Sequence, residues 1–297
     1  ADILNRLTSQ HDAMVDLLAQ LVNIESPSDD RAALDRMAAR LLDLFAPLGA
    51  VEHFPQTGVG DHFVVRIPGR ESLTPALVLC HYDTVWPMGS LTTNPFRIED
   101  GIARGPGVFD MKGGIVSMVY GAAAARDLGL IRDGRVVIHL VPDEETGSVV
   151  GAGYLRRNTL IDASAVAMVT AEPSGSSIWN ASRGAISLRV SFVGREAHVG
   201  QAAFGSNAYA HMVHVAGRLL AYADDMAKRP TSYHMDPADP QGSMIVVGGQ
   251  SGSGANFNVV PATAWFTVDS RFNPEEDLDV ELERMTRIIQ DAAAEVD

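Results

Sequence analysis

The chain has 297 residues, which suggests about two domains. Its hydrophobic content of 46% is enough for packed cores and excludes general disorder. A formal net charge of −14 disfavours nucleic acid and anionic membranes as partners. Cys80 is the single cysteine, so an intrachain disulfide framework and a cysteine zinc site are excluded.

The sequence also bears on the compartment. No apolar run has the length needed to cross a bilayer, and no signal peptide is visible. We therefore expect a cytoplasmic protein. Because the chain starts at Ala1, a removed leader would instead place the protein in the periplasm or outside the cell.

The first part of the chain alternates between helical and extended patterns. Apolar residues recur at helical spacing, and Ser26-Pro27-Ser28 interrupts that spacing between two helices. The elements predicted up to residue 127 are helices at 8–24 and 29–48, short strands at 50–54 and 62–67, a buried strand from residue 76, a hairpin within 86–109 and a helix at 113–127.

The stretch ALVLCHYDTV, residues 76–85, is apolar on both faces until His81. Such a run is typical of a strand covered by helices on both sides in a parallel sheet. His81 and Asp83 follow at the carboxyl end of the strand, where open parallel sheets bind ligands. Alternation places both side chains on one side, so they can be a metal ligand and its neighbour. An ordinary strand-end histidine with a turn aspartate is the alternative.

Two further apolar strands, residues 135–141 and 164–170, also run into acidic residues. The first is followed by Glu144 and Glu145, and the second by Glu172. Helical segments separate the strands, as in repeated βαβ units. Carboxylates that gather at one sheet edge repel each other unless a proton or a metal ion neutralises them. The pattern therefore predicts a metal site.

Asp110 lies in the motif GPGVFDMKGG, just before the helix predicted at 113–127. A carboxylate at this position can cap the helix, or it can join the acidic groups at the sheet edge. The motif alone leaves both interpretations open.

The pattern changes after Arg183, where strands begin to alternate between apolar and polar residues. We expect an α+β sandwich with helices on one face of a small sheet, so the predicted domains are residues 1–182 and 183–297. The elements predicted here are strands at 185–193, 243–248 and 263–272, helices at 206–222 and 278–294, and a glycine- and serine-rich loop at 248–254.

Four motifs, HYDTV, GPGVFDMKGG, PDEETGS and AEPSG, occur in this order and resemble those of the M20 family of metallopeptidases. The similarity extends over the whole chain, and the glutamate carboxypeptidase and N-acyl amino acid deacylase branches are nearest. The resemblance implies a catalytic α/β domain with a mostly parallel sheet and helices on both faces. It also implies a smaller α+β lid domain that forms a homodimer.

The resemblance further implies a centre with two zinc ions, with cobalt or manganese as alternatives. The implied metal ligands are His81, Asp110, Glu145 and Glu172. Asp110 would bridge both ions, and the peptide bond from Asp110 to Met111 is expected to be cis. Glu144 would be the general base, and Asp83 would hold the His81 ring through its other nitrogen.

Three residues of the second domain also lie in motifs that resemble those of the M20 family. His198 in REAHVG resembles the lid histidine that reaches into the partner's site and stabilises the oxyanion. Asn258 in FNVVPA and Arg271 in DSRF resemble groups that hold the substrate, and a guanidinium suits a free carboxylate. A loop position for His198 and a surface-strand position for Arg271 are the alternatives. His139 lies mid-strand and is expected in the core.

Two departures from the family pattern are visible. The second zinc of the family takes a final histidine far toward the carboxyl terminus, and no histidine follows His234. The chain stops at Asp297, inside the expected last helix of the lid. We therefore expect a fragment, inactive in this form, that lacks the C-terminal part of the catalytic domain. Residues 174–177 replace a lysine that the glutamate-preferring branch carries, so a preference for glutamate is in doubt.

The predicted function is hydrolysis of the amide bond of N-acyl amino acids or short peptides with a free carboxylate. A metal-activated water would be the nucleophile. A non-catalytic scaffold that dimerises through the same fold is one alternative. Iron oxygenases, which also use His-x-Asp with a distant histidine, are another, but their all-β architecture disagrees with the helices predicted here.

Overall fold

The computed structural model describes residues 2–69, 74–131, 135–148, 150–158, 160, 164–175, 177–235 and 242–296. The chain forms two compact units, Ala1–Ser177 (unit 1) and Ile178–Asp297 (unit 2). In these ranges, none of the helices combines the length and the apolar character needed to cross a membrane.

Unit 1 alternates helices and strands along the chain. The helices are α1 (Asp2–Ser9), α2 (His11–Val22), α3 (Arg31–Phe45), α4 (Gly113–Asp127) and α5 (Ala152–Arg157). The strands are β1 (Ala50–Phe54), β2 (His62–Ile67), β3 (Ala76–His81), β4 (Arg97–Glu99), β5 (Ile102–Arg104), β6 (Val136–Val141) and β7 (Ala167–Thr170). Asp30 starts α3 by accepting the backbone N–H of Ala33 at 2.9 Å, as expected for a helix cap.

The main sheet of unit 1 has the order β1-β2-β6-β3-β7. β3 pairs in parallel with β6 and with β7, which confirms the three parallel strands with charged ends. β1 pairs with β2, and β2 with β6, in the antiparallel direction. The sheet is therefore mixed, and the prediction of a mostly parallel sheet was wrong for its β1 side. Apolar periodicity predicts a strand but does not fix the direction of its partner.

Helices cover both faces of the central strands β2, β6 and β3. The larger core packs α2, α3 and α4 against one face, with fully buried Leu21, Leu41 and Ile115 among its members. On the other face, Leu155 of α5 packs against Val64 and Val137. These apolar contacts hold β6 and β3 between the helices, so the carboxyl ends of these two strands have fixed positions. The residues of β7 are exposed, and this strand is held by its parallel pairing with β3.

Unit 2 is an antiparallel sheet with two helices. Its strands are β8 (Gly184–Val193), β9 (Ala197–His198), β10 (Met244–Ser253), β11 (Val259–Val260) and β12 (Thr263–Phe272), and its helices are α6 (Ala208–Met226) and α7 (Leu278–Ala294). The three long strands have the order β10-β12-β8. Both helices pack on one face of the sheet, where Leu219, Phe266 and Met285 are buried together.

The glycine- and serine-rich segment 248–254 differs from the expected loop. β10 continues to Ser253, and its pairing with β12 shifts register between Val247 and Ser251. A bulge of this kind absorbs extra residues without ending the strand, and Gly248 adopts a positive φ of 81° within it. The composition favoured a loop, but the bulge lets the strand resume.

Candidate metal centre

The side chain of His81 lies at the carboxyl end of β3 with only 1% of its surface exposed. Its Nε2 atom is 3.0 Å from Oδ1 of Asp110 and 3.5 Å from Oε1 of Glu172. These three residues offer ligand atoms that all lie within 4.8 Å of one another. No other group of histidine, cysteine, aspartate and glutamate side chains in the described ranges meets this spacing.

Strand pairing and two glycines bring the three side chains together. β3 and β7 are parallel neighbours, so His81 at the end of β3 and Glu172 just after β7 lie at the same edge of the sheet. At Gly114, in the first turn of α4, a Cβ atom would lie 2.2 Å from the carbonyl oxygen of Ala171. At Gly107, with φ +66°, a Cβ atom would lie 2.5 Å from Cγ2 of Thr84. The GPGVFDMKGG motif therefore packs closely against the ends of both strands.

Asp110 does not cap the helix that follows. α4 begins after Lys112 without a side-chain cap, and the carboxylate of Asp110 faces His81 instead. The peptide bond between Asp110 and Met111 is cis, as the resemblance implies. Of the two interpretations that the motif left open, the structure agrees with the one that joins Asp110 to the acidic groups.

The other ring nitrogen of His81 faces Asp83. Nδ1 lies 3.1 Å from the backbone oxygen of Asp83 and 3.3 Å from its Oδ1 atom. A proton on Nδ1 that is donated to Asp83 leaves the lone pair of Nε2 for a metal ion. This is the orientation in which metal-binding histidines are held in proteins.

Glu144 and Glu145 begin a short 3-10 turn directly after β6. The Glu144 side chain is exposed and that of Glu145 is half-buried. Their backbone N–H groups donate to the carboxylate of Asp83 at 3.1 and 3.2 Å. Neither residue belongs to the group of three around His81, but the charges of Asp110 and His81 act on both.

The centre has an excess of negative charge that a cation would neutralise. Burial alone lowers the pKa of His81, but its contacts with Asp83 and Glu172 raise it to about 11. Burial raises the pKa of Asp110. Burial also raises the pKa of Glu145 to about 7, and the charge of Asp110 adds to this effect. One imidazole and several carboxylates are a ligand set that suits zinc, so the residues present fit a divalent metal ion.

Two features of unit 1 were not predicted as part of the site. The hydroxyl of Ser28 donates to Oδ2 of Asp83 at 2.7 Å, although the sequence indicated only a break between helices there. The buried ammonium of Lys112 donates to the carbonyl of Ile24 at 2.8 Å, and burial lowers the pKa of this lysine to about 8. Both contacts join the connector between α2 and α3 to the centre.

The predicted residues of unit 2 lie on its surface. β9 and β11 form a two-stranded ladder that pairs His198 with Val259, so His198 and Asn258 are close neighbours. Nδ1 of His198 accepts the backbone N–H of Gly200 at 3.1 Å. The proton of the neutral ring then lies on Nε2, which is the form that can donate to a carbonyl oxygen.

Arg271 is an exposed residue of β12, and its guanidinium already has a carboxylate partner. Its Nε and Nη2 atoms lie 2.7 and 3.3 Å from the two oxygens of Asp269. The hydroxyl of Ser187 also donates to Asp269 at 3.0 Å. A guanidinium has five N–H donors, so two contacts with Asp269 do not use its full donor capacity.

The fold and the centre define an α/β chain with a histidine–carboxylate site at the end of a mixed sheet. The model of Peptidase family M20/M25/M40 matches residues 77–296, and the chain belongs to this family. Carboxypeptidase G2 of Pseudomonas sp. (strain RS-16) is 26% identical over 282 residues, which cover 94% of this chain and 64% of that protein. The chain thus spans less than two thirds of that relative's length.

Other comparisons agree with the family. Succinyl-diaminopimelate desuccinylase of Methylobacterium radiotolerans is 30% identical over 297 residues, covering 92% of this chain and 71% of that protein. The di-peptidase Dug1p of Saccharomyces cerevisiae matches with a TM-score of 0.71 and 14% identity, covering 99% and 76% of the two chains. Human carnosine dipeptidase 1 matches with a TM-score of 0.67, 17% identity and coverage of 99% and 76%. The two structural matches show a shared fold.

Proposed function

We propose that this protein hydrolyses the amide bond of N-acyl amino acids or short peptides with a free carboxylate. The observation that carries the proposal is the convergence of His81, Asp110 and Glu172, which come from separate parts of the chain. Membership of a peptidase family and relatives named as a carboxypeptidase and a desuccinylase support the same reaction class.

The proposed cofactor is a pair of divalent ions, with zinc favoured by the ligand types. His81 and Glu172 would hold one ion, Glu145 the other, and Asp110 would contact both. A bound zinc ion would lower the pKa of a water molecule to about 7. The further histidine that the family resemblance implies has no candidate after His234 in this sequence.

Glu144 is the proposed general base. Its side chain is exposed at the end of β6, while its backbone is fixed to Asp83, so the carboxylate can reach a substrate without losing its anchor. Partial desolvation of the carboxylate, together with the negative charge of Glu172, raises the pKa of Glu144 above its ordinary value. A raised pKa suits a group that must take up a proton and release it again. Glu144 would take the proton of the attacking water and deliver it to the leaving nitrogen.

The proposed roles of unit 2 are substrate binding and dimerisation. His198, with its proton on Nε2, can donate to the carbonyl oxygen that becomes negative during the reaction. Asn258 would bind polar atoms of the substrate, and Arg271 would bind its carboxylate through the N–H groups that Asp269 leaves available. We assign these roles to a lid that pairs with a second copy of the chain.

A substrate panel tests the proposal. The chain, and a longer form if one exists, are incubated with N-acyl amino acids and with dipeptides. The control compounds are the same molecules with the carboxylate blocked as an ester. We expect release of amino acids that depends on the carboxylate, stops with a chelator and returns with zinc. Zinc binding without hydrolysis of any member would instead favour the scaffold alternative, and hydrolysis that a chelator does not affect would contradict the metal centre.

A further inference from the structure

Asp83 is a completely buried carboxylate whose oxygens are all engaged. Oδ1 accepts the backbone N–H of Glu144, and Oδ2 accepts the backbone N–H of Glu145. The third donor is the hydroxyl of Ser28, which lies 2.7 Å from Oδ2 and makes the shortest of these contacts. A carboxylate held by three donors has one orientation, so the ring of His81 on its other side is also fixed.

The position of Ser28 is set by its own connector. The N–H of Thr84, the residue after Asp83, donates to the carbonyl of Ser26 at 2.8 Å. Pro27 and Thr84 form a parallel bridge. These backbone contacts hold the connector against the strand end and offset the entropic cost of ordering it, so the Ser28 hydroxyl is already positioned next to Asp83.

We propose that Ser28 is a positioning residue for the metal centre. Its hydroxyl fixes the carboxylate of Asp83, which in turn orients His81 and the turn that carries Glu144 and Glu145. This inference rests on the proposed function, because it assumes that these residues hold a metal ion. Loss of the hydroxyl leaves one oxygen of a buried carboxylate with a missing donor, which frees the carboxylate to rotate.

Ser26 provides a matched control within the same connector. Its side chain is fully buried, and its hydroxyl has no hydrogen-bond partner in the described ranges. Its contact with Thr84 is made by the backbone and survives a change to alanine. Ser26→Ala and Ser28→Ala therefore remove the same atom two residues apart, and only the second change removes a donor to Asp83.

The test is a zinc titration of metal-free protein in competition with a chromophoric chelator, with cobalt absorption as a second readout. Ser28→Ala should weaken zinc binding about tenfold and alter the cobalt spectrum, as expected for loss of an outer partner of a metal ligand. Ser28→Thr, which keeps a hydroxyl, should have the zinc affinity and the cobalt spectrum of the wild type. Ser26→Ala should also match the wild type in both readouts. The thermal midpoint of each metal-free variant reports whether the fold is intact.

Equal zinc affinity of Ser28→Ala and the wild type would overturn the inference while leaving the proposed function standing. A wild-type chain that binds no zinc would overturn both. If Ser28→Ala does not fold, Ser28→Cys takes its place, because a thiol of similar size is a weak donor and should lower zinc affinity in the same direction. A Ser28→Cys variant with full zinc affinity would then be the contradicting result.

Discussion

The carboxylate of Asp83 lies 3.1 Å from the backbone nitrogen of Glu144 and 3.3 Å from Nδ1 of His81. One buried side chain therefore links the end of β3, which carries the histidine, to the end of β6, which carries the proposed base. A shift of the Asp83 carboxylate would therefore affect both the His81 ring at the end of β3 and the Glu144 backbone after β6.

Asp83→Asn should weaken both the fold and the centre. An amide offers one acceptor oxygen, so its NH2 group would face the donors of Ser28 or of the turn at Glu144. We expect the free energy of unfolding of the metal-free protein to fall by about 2–3 kcal/mol in urea titrations. Zinc affinity should fall about 10–100-fold. Asp12→Asn, a change at an exposed position, should alter neither quantity. Equal effects of Asp83→Asn and Asp12→Asn would show that Asp83 does not link the ends of β3 and β6.

Glu144→Gln should separate metal binding from turnover. In a form of the protein that hydrolyses its substrate, kcat should fall about 10²–10⁴-fold, because glutamine cannot accept the proton. Zinc content, measured by mass spectrometry of the metal, should not change. Glu145→Gln is the matched neighbour and should lower the zinc content instead. Turnover near that of the wild type in Glu144→Gln would rule out the assigned base.

Arg229 stabilises unit 2 through two carboxylates. Its Nη1 atom lies 2.9 Å from Oε2 of Glu281, a nearly buried side chain, and it also contacts Glu276. Arg229→Met should lower the free energy of unfolding by about 1–3 kcal/mol, because both carboxylates lose a charged donor while Glu281 keeps a second arginine. Arg218→Met, which breaks an exposed pair with Glu295 at 2.6 Å, should have little effect in the same denaturation series. Similar losses in both variants would contradict this account.

His139 should make folding sensitive to acid. Its ring is 2% exposed, neither nitrogen has a hydrogen-bond partner in the described part of the chain, and burial with nearby Arg66 and His62 lowers its pKa to about 4. The unfolded chain takes up this proton near pH 6.5. Stability should therefore be full above about pH 6.5 and fall as the pH drops toward 4, by up to about 1.4 kcal/mol per pH unit from this residue.

Replacement of His139 by leucine tests this directly. The slope of unfolding free energy against pH between 6.5 and 4.5 should become shallower in His139→Leu, measured by urea denaturation. Replacement of the exposed His11 by leucine should leave the slope as it is. An unchanged slope in His139→Leu would show that the buried ring does not contribute to the loss of stability at acid pH.

The sequence predicted the convergence of His81 with acidic side chains better than it predicted the strand directions of the sheet. Runs of apolar residues that lead to His81 and Glu144 carry a local signal, because a strand buried on both faces reads as an unbroken apolar segment. The apolar run before Glu172 forms β7, whose residues are exposed, so its composition did not predict its burial. The helix Gly113–Asp127 was confirmed for a similar reason, since its alanines and apolar residues favour one conformation. The antiparallel pairing of β2 with β6 depends on contacts between distant segments and leaves no local pattern.

Ser28 shows the same limit within the site. The serine and its partner Asp83 are 55 residues apart, and a hydroxyl beside a proline has an ordinary local interpretation as a helix break. The partner of Arg271 is closer, because Asp269 lies two positions away on the same face of β12. That spacing could have indicated the ion pair from the sequence.

Anomalous diffraction at the zinc edge, from crystals of the chain grown with zinc, tests the metal centre most directly. We expect a peak within about 2.0–2.3 Å of Nε2 of His81 and of one oxygen each from Asp110 and Glu172. Zinc bound only at other side chains, or no peak between these three residues in well-ordered crystals, would contradict the proposed centre.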